Sequence, residues 1–285
     1  MGRKTRRQLL GQHFLHEKRI LQKIIEAIDP GSEDLVVEVG PGQGALTFPL
    51  AAKAGRVLAI EKDYSLVEML EKNRPGNLEI IAGDILKVDL RNIITNRLRP
   101  GEKVKLAGNL PYHISSQILF VLVEVKDLVQ RAVFLFQKEV AQRITAAPGS
   151  KKYAPLSILL QNYFDCRLLF RVGPGAFSPP PRVDSACVLF QTRNQQLFFA
   201  AGQEKELLAF LKEAFCQRRK TLSRNLEGAG YRKEEISQAL RSLSLGEKIR
   251  AEDLKPETLV ALFQRLSQSG DKIRPDDENP PVPVL

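Results

Sequence analysis

Between Leu35 and Gln191, short apolar runs alternate with segments of helical periodicity, and this alternation restricts the chain more than any other feature. Parallel strands need a long crossover to return to the same end of a sheet, and a helix usually supplies it. The runs 35–39, 56–60, 78–82, 104–108, 131–136, 166–172 and 184–191 read as strands. Helices are expected at 18–28, 44–53, 64–73, 116–125, 138–146 and 155–163. Only the Pro-rich Gly173–Arg182 connection separates the last two strands, so they are expected to pair antiparallel at the sheet edge. Past about residue 200 the pattern becomes helical only. Glu204–Phe215, Lys233–Leu243 and Lys255–Gln268 carry apolar residues at three-to-four spacing, interrupted at Gly228 and Gly230. The expected class is α/β with a small all-α C-terminal domain. Its boundaries are read as 1–33 for a basic arm and first helix, 34–200 for the α/β domain and 201–269 for the helical domain. Residues 270–285, rich in Pro and Asp, are expected to form a disordered tail.

A chain of 285 residues has room for one large domain, or for a large and a small one, with an ample core. A balance of 43 Lys+Arg against 33 Asp+Glu gives a net charge of +10 and fits either a lysine-rich surface or a polyanion partner, depending on clustering. Cys166, Cys187 and Cys216 show no CxxC spacing, and with His13, His16 and His113 they form no zinc pattern. A reduced, intracellular, metal-free protein is expected. The basic N-terminus is followed by no apolar signal core, and no run is long enough to span a bilayer. An Arg-rich transit peptide is the competing reading of those first residues. It is set aside because Gly11-Gln12-His13-Phe14-Leu15 follows at once and carries the look of a functional motif.

Val37-Glu38-Val39-Gly40-Pro41-Gly42-Gln43-Gly44 is a strand running into a glycine-rich turn, which lets backbone approach a nucleotide closely. Its spacing is not the GxGxxG of dinucleotide folds. Glu61 follows the strand Val57–Ile60, where a carboxylate can accept both hydroxyls of a ribose. Asp84, in Gly83-Asp84-Ile85-Leu86, repeats the arrangement after the third strand and is placed to accept from an adenine amino group. A helix cap or solvated strand end explains either acid alone, and explains two at consecutive strand ends less well.

Asn109-Leu110-Pro111-Tyr112 falls where the fourth strand would end. The exocyclic nitrogen of adenine is a poor nucleophile because its lone pair is delocalised into the ring. An enzyme alkylating it must hold the amino hydrogens so that the lone pair turns toward the methyl donor. The Asn109 side-chain carbonyl and the Leu110 carbonyl, freed by Pro111, can accept those hydrogens, while the Tyr112 ring stacks on the base. Positioning supplies most of the rate, without a strong base. A strand-ending turn is the plainer reading of Asn-x-Pro. In this order after the glycine turn and the two acids, the segment points to methyl transfer onto adenine.

On these motifs the chain resembles the ribosomal RNA adenine N6,N6-dimethyltransferase family, from Gly11 to Leu266. Gln137-Lys138-Glu139-Val140-Ala141-Gln142-Arg143 and Phe177-Ser178-Pro179-Pro180-Pro181-Arg182-Val183-Asp184-Ser185 favour its small-subunit, bacterial type over the macrolide-resistance methylases of large-subunit RNA. The resemblance implies a class I, Rossmann-like sheet using S-adenosylmethionine. The implied target is two adjacent adenosines in a hairpin loop near the 3′ end of 16S rRNA. The implied substrate is a pre-assembled small ribosomal subunit, modified by a cytoplasmic monomer that touches no membrane. It also implies cofactor contacts at His13, Leu15, Gly40, Glu61, Asp84 and Asn109, and a catalytic set of Asn109, Leu110, Pro111, Tyr112 and Phe177, with the base between Tyr112 and Phe177. The family usually has Asn where His13 stands, and often where His113 stands. The alternatives are a large-subunit methylase and a non-catalytic RNA-binding assembly factor. A nicotinamide dehydrogenase is disfavoured by the glycine spacing.

Arg3, Lys4, Arg6 and Arg7 precede the first motif, and Arg218, Arg219, Lys220 and Arg224 cluster at the start of the helical domain. Charge runs are usually solvated faces. In a protein that draws its target base from folded RNA, phosphate contacts are expected from them. No recognised RNA-binding module is present, so RNA shape and phosphates would orient the substrate while the pocket selects the base.

Overall fold

The computed structural model describes residues 12–199 and 202–268; Arg3, Lys4, Arg6, Arg7, Gly11 and the tail 270–285 lie outside the described residues. The described chain divides into two units, one of residues 12–145 with 163–194, the other of 146–162 with 195–268.

The first unit is built on nine strands: β1 (Phe14–Leu15), β2 (Leu35–Val39), β3 (Arg56–Glu61), β4 (Leu78–Ala82), β5 (Val104–Asn109), β6 (Val129–Gln137), β7 (Phe164–Val172), β8 (Phe177–Ser178) and β9 (Ser185–Thr192). Seven of them form one sheet in the order β4-β3-β2-β5-β6-β9-β7. β2 is buried along its whole length, and its sequence Leu-Val-Val-Glu-Val reads as a nearly continuous apolar run, as expected for a strand covered on both faces. Pairing is parallel from β4 across to β6, then antiparallel from β6 to β9 and from β9 to β7. The expected antiparallel pair is therefore present, with β9 inserted between β6 and the edge strand β7.

The crossovers are helices whose starts are chemically marked. α1 (Lys18–Ile28) buries Ile24, Ile25 and Ile28 in the core and ends at Asp29 in a left-handed conformation. α2 (Thr47–Ala51) is shorter than the expected 44–53, because the glycine turn carries Gly44 at φ +84°. The amide of Ser65 donates to Asp63 at 3.0 Å and caps α3 (Tyr64–Glu71). The amide of Asn92 likewise donates to Asp89 at 3.0 Å and caps α4 (Leu90–Thr95), which the periodicity does not reveal. α5 (Ser115–Glu124) and α6 (Lys138–Ile144) follow β5 and β6. The chain passes from β2 outward to β4 and then returns to β5 beside β2. This reversal opens a crevice at the carboxyl ends of β2 and β5, where open α/β sheets bind their ligands.

β1 and β8, two residues each, pair outside the main sheet, Phe14 opposite Ser178 and Leu15 opposite Phe177. They fasten the segment holding Gln12–Leu15 across the sheet's carboxyl end.

The second unit holds α7 (Pro155–Tyr163, through Asn162), α8 (Glu204–Ala214), α9 (Leu222–Glu227), α10 (Lys233–Ser242) and α11 (Pro256–Gln268). Its core includes Tyr153, Leu207, Phe210, Leu226, Leu240 and Leu259, with the Phe210 ring centred 5.6 Å from that of Phe263. Residues 146–162 belong here, whereas the boundary at 200 groups them with the sheet. Two contacts account for this. Tyr153 sets its ring 5.8 Å from Phe215, and the Asn162 amide exchanges hydrogen bonds with the backbone of Phe198 and Phe199.

Candidate active site

One cavity in the first unit opens at the carboxyl ends of β2, β3, β4 and β5. Its walls include Gln12–Leu15, Glu38–Gln43, Ile60–Asp63, Gly83–Leu86 and Gly108–Ile114. The glycine turn is its floor. Gly40, Gly42 and Gly44 all have positive φ, +68°, +57° and +84°, a region open to glycine at no steric penalty. A Cβ on Gly40 would meet no protein atom within 4 Å, so that space faces the cavity. Gly108 is required for a different reason: a Cβ there would lie 2.7 Å from the Val39 carbonyl oxygen, where β2 and β5 converge.

Glu61 is buried at the end of β3. Its Oε2 accepts from the Gly42 amide at 3.1 Å and its Oε1 from the Asp63 amide at 2.8 Å. Burial raises the carboxyl's pKa, while these amides pull it back. Asp84 is more committed: Oδ2 pairs with the Lys62 ammonium at 2.8 Å, and Oδ1 accepts from the Leu86 amide at 3.1 Å. The Lys62 contact holds its carboxyl below the usual range. Lys62 is exposed, so the pair can open without burying a charge.

At the end of β5, Asn109 Nδ2 donates to the His13 carbonyl oxygen at 2.8 Å. That contact fixes the orientation of the amide and leaves Oδ1 accepting from no described residue. The Leu110 carbonyl, one residue past the strand, also enters no backbone pairing with a described residue, because Pro111 breaks the ladder ahead of the 3₁₀ turn Tyr112–Ile114. The half-buried Tyr112 hydroxyl meets Ser185 Oγ at 2.6 Å. The His13 ring stacks on Tyr112, 5.5 Å between centroids and 29° between planes, and its Nδ1 bonds the Pro179 carbonyl at 2.7 Å.

The structure thus brings His13, Leu15, Gly40, Glu61, Asp84, Asn109, Leu110, Pro111 and Tyr112 to one cavity. Phe177 is not among its walls. With only 3 % of its surface exposed, it packs in the core opposite Leu15, because strand pairing turns its side chain inward. The aromatic ring beside Tyr112 is that of His13.

Glu38 lines the same cavity, although the motif alone does not mark it as a site residue. It is 1 % exposed, between Ala59 on β3 and Ala107 on β5. Burial pushes its carboxyl up to about 8, the Glu61 charge adds to this, and the Thr47 hydroxyl pulls the other way. The Thr47 hydroxyl lies near enough to act on the carboxyl, but among the described residues neither Glu38 Oε2 nor Thr47 Oγ1 reaches full hydrogen-bond geometry. A signal for it does exist in the sequence: a lone acid in a strand covered on both faces is neutral or awaits a partner.

In the second unit, Arg219, Lys220 and Arg224 are exposed. Arg218 is not available in the same way. Its guanidinium bonds the Lys151 carbonyl and pairs with Glu252, holding the 146–162 segment to the C-terminal helices. In the free chain this side chain is engaged by the fold, unlike Arg219, Lys220 and Arg224. Among the described residues no His/Cys/Asp/Glu group suits a metal, and no helix is long and apolar enough to cross a membrane.

A parallel sheet with a reversal beside a glycine turn, and acids at consecutive strand ends, defines the class I, Rossmann-like methyltransferase fold. Residues 3–268 match the model of the ribosomal RNA adenine dimethylase family. Ribosomal RNA small subunit methyltransferase A of Geobacter metallireducens is 39% identical over 270 residues, covering 93% of this chain and 97% of that protein. Among solved structures, a dimethyladenosine transferase from Plasmodium falciparum superposes with a TM-score of 0.74 at 27% identity, covering 90% of this chain and 98% of that one. The 23S rRNA methyltransferase ErmE follows at 0.65 and 25% identity, covering 90% and 100%. The chain belongs to the ribosomal RNA adenine dimethylase family. It is an S-adenosylmethionine-dependent enzyme.

Proposed function

We propose that the protein transfers methyl groups from S-adenosylmethionine to N6 of two adjacent adenosines in a hairpin loop near the 3′ end of 16S rRNA, giving N6,N6-dimethyladenosine. The observation that carries this reading is the acceptor pair at the end of β5, beside the glycine cradle. Asn109 has its donor already committed to His13, so its oxygen is the atom left to receive an amino hydrogen. The Leu110 carbonyl receives the other. In the first transfer both hydrogens are held and in the second the one that remains, so the nitrogen lone pair is directed out of conjugation and toward the cradle while the base lies against Tyr112; each transfer releases one amino proton to solvent.

The cradle fits the donor. Glu61 presents its carboxylate at the end of β3 for a ribose diol, Gly40 leaves space where a side chain would intrude, and Glu38 lines the same cavity. Leu15, Ile85 and Leu86 give the apolar surface an adenine ring needs, and Asp84 stands at its rim. When bound, the donor supplies an electrophilic methyl on a sulfonium centre. Glu61→Ala is expected to weaken donor binding roughly thirtyfold, about 2 kcal/mol for a buried acceptor removed. Calorimetric titration reads this directly, and unchanged affinity in a folded variant removes Glu61 from the donor site.

In this reading the RNA is presented within a pre-assembled small subunit, and the enzyme works as a cytoplasmic monomer. The exposed Arg219, Lys220 and Arg224 make phosphate contacts. Replacing these three with Ala is expected to weaken subunit binding and to flatten log K against log salt by about two to three, near one for each phosphate no longer neutralised. Donor affinity stays constant. An unchanged slope would show the cluster to be a solvated face.

Incubation with labelled donor and unmethylated small subunits, followed by primer extension, tests the function. Dimethylation removes the Watson–Crick donor and stops reverse transcriptase at the modified bases. A stop in large-subunit RNA would support the resistance-methylase reading, and absence of label in any rRNA would support a binding role without catalysis.

A further inference from the structure

Ser185 lies outside the cavity, yet it is joined to the residue on which the target base is read to stack. Its side chain is fully buried, and its Oγ shares a 2.6 Å hydrogen bond with the Tyr112 hydroxyl. Ser185 is the first residue of β9 and sits in register between Gln137 of β6 and Val172 of β7. Its position is therefore fixed from both sides by backbone ladders. The residue before it is fastened too, since the Lys138 amide donates to the Asp184 carbonyl at 2.9 Å.

Tyr112 has no comparable anchorage of its own. It opens a three-residue 3₁₀ turn after Pro111, and its ring is half-buried. A tyrosine so placed retains freedom about its side-chain torsions unless both ends are held. Here the hydroxyl is tied to the sheet and one part of the ring lies against His13. We infer that Ser185 is a positioning residue: through the Tyr112 hydroxyl it sets the plane of the ring before the base arrives, so that stacking does not have to order it. The inference rests on the reading that Tyr112 stacks on the target adenine.

A bond made only to satisfy a buried hydroxyl predicts different behaviour. Tyr112 is partly solvent-accessible, so water would replace the partner and turnover would hardly change. The test compares Ser185→Ala, Tyr112→Phe, their double variant and Tyr112→Ala, all as full-length protein on unmethylated small subunits. Ser185→Ala removes one oxygen without adding volume, and its melting temperature is followed alongside. The expected result is a loss of about tenfold in kcat for Ser185→Ala and for Tyr112→Phe, the scale of a single net hydrogen bond. KM for subunits and donor affinity move little, and the double variant is no worse than either single one. If Ser185→Ala keeps full kcat while Tyr112→Ala is severely impaired, the stacking reading stands and the positioning role is overturned. Additive losses in the double variant, or a loss that tracks melting temperature or donor affinity, overturn it as well. If Tyr112→Ala itself turns over normally, the stacking reading fails, and the positioning role falls with it.

Discussion

Asn109→Ala is expected to lower methyl transfer on saturating small subunits by on the order of a hundredfold or more, the usual consequence of deleting a preorganised transition-state acceptor. The amide is set for that task by a contact on its other side. Nδ2 donates to the His13 carbonyl at 2.8 Å, and the segment carrying His13 is itself held by the pairing of Phe14 and Leu15 with β8. The orientation is thus inherited from a strand pair remote in sequence. Asn109→Asp sharpens the test. It keeps an acceptor, but brings a carboxylate oxygen toward the His13 carbonyl with no proton between them, so rotation or repulsion spoils the geometry. Both variants should lose turnover, with donor affinity affected less. Single-turnover measurements with labelled donor separate the two effects. Near-normal turnover in Asn109→Ala would mean that another group orients the amino nitrogen.

The parallel sheet is legible in the sequence because burial on both faces leaves a plain mark. β2 admits only one polar residue in five, and β3 and β5 are nearly as apolar. The cradle is legible too, since positive φ at three positions leaves glycine as the residue of choice. What escapes has no local mark. α4 is six residues long and has two isoleucines side by side, and its start is set by the Asp89 cap rather than by periodicity. β1 and β8 are two residues each and lie more than 160 positions apart, so no window of sequence contains both. For the same reason Phe177 reads as a pocket aromatic, whereas its pairing with Leu15 turns it into the core. Arg218 shows the limit of charge counting. Composition registers a cation, and only the packing of residues 146–162 reveals that Glu252 already answers it.

Glu38→Gln is expected to raise the stability of the free protein at pH 8 while leaving it nearly unchanged at pH 5. The reason lies in what burial does to an acid. In the unfolded chain Glu38 ionises near its ordinary 4.5, whereas in the folded chain burial holds it protonated up to about 8. A group whose acidity is weakened by folding contributes stability that is fully present below the unfolded pKa. That stability is lost as pH rises toward the folded one. At about 1.4 kcal/mol for each tenfold difference in acidity, the loss by pH 8 is on the order of several kcal/mol. Glu61, also raised by burial, adds a dependence of the same sign that the substitution leaves in place. The other titratable groups around the cavity, Lys62, Asp63, Asp84, His13, Tyr112 and His113, remain common to both proteins, so the difference between the two profiles isolates Glu38. Glutamine keeps the shape and cannot ionise, so the two melting curves should lie within about two degrees of each other at pH 5 and separate by on the order of 5–10 °C at pH 8. Donor binding should show the opposite preference. A cationic donor favours the ionised carboxylate, so wild-type affinity climbs with pH through this range, and that climb is absent in the variant. A residue that weakens the empty fold while lining the cradle is then retained for its ligand. Superimposable pH profiles for the two proteins would show that Glu38 ionises normally in the folded chain, and would remove it from the site.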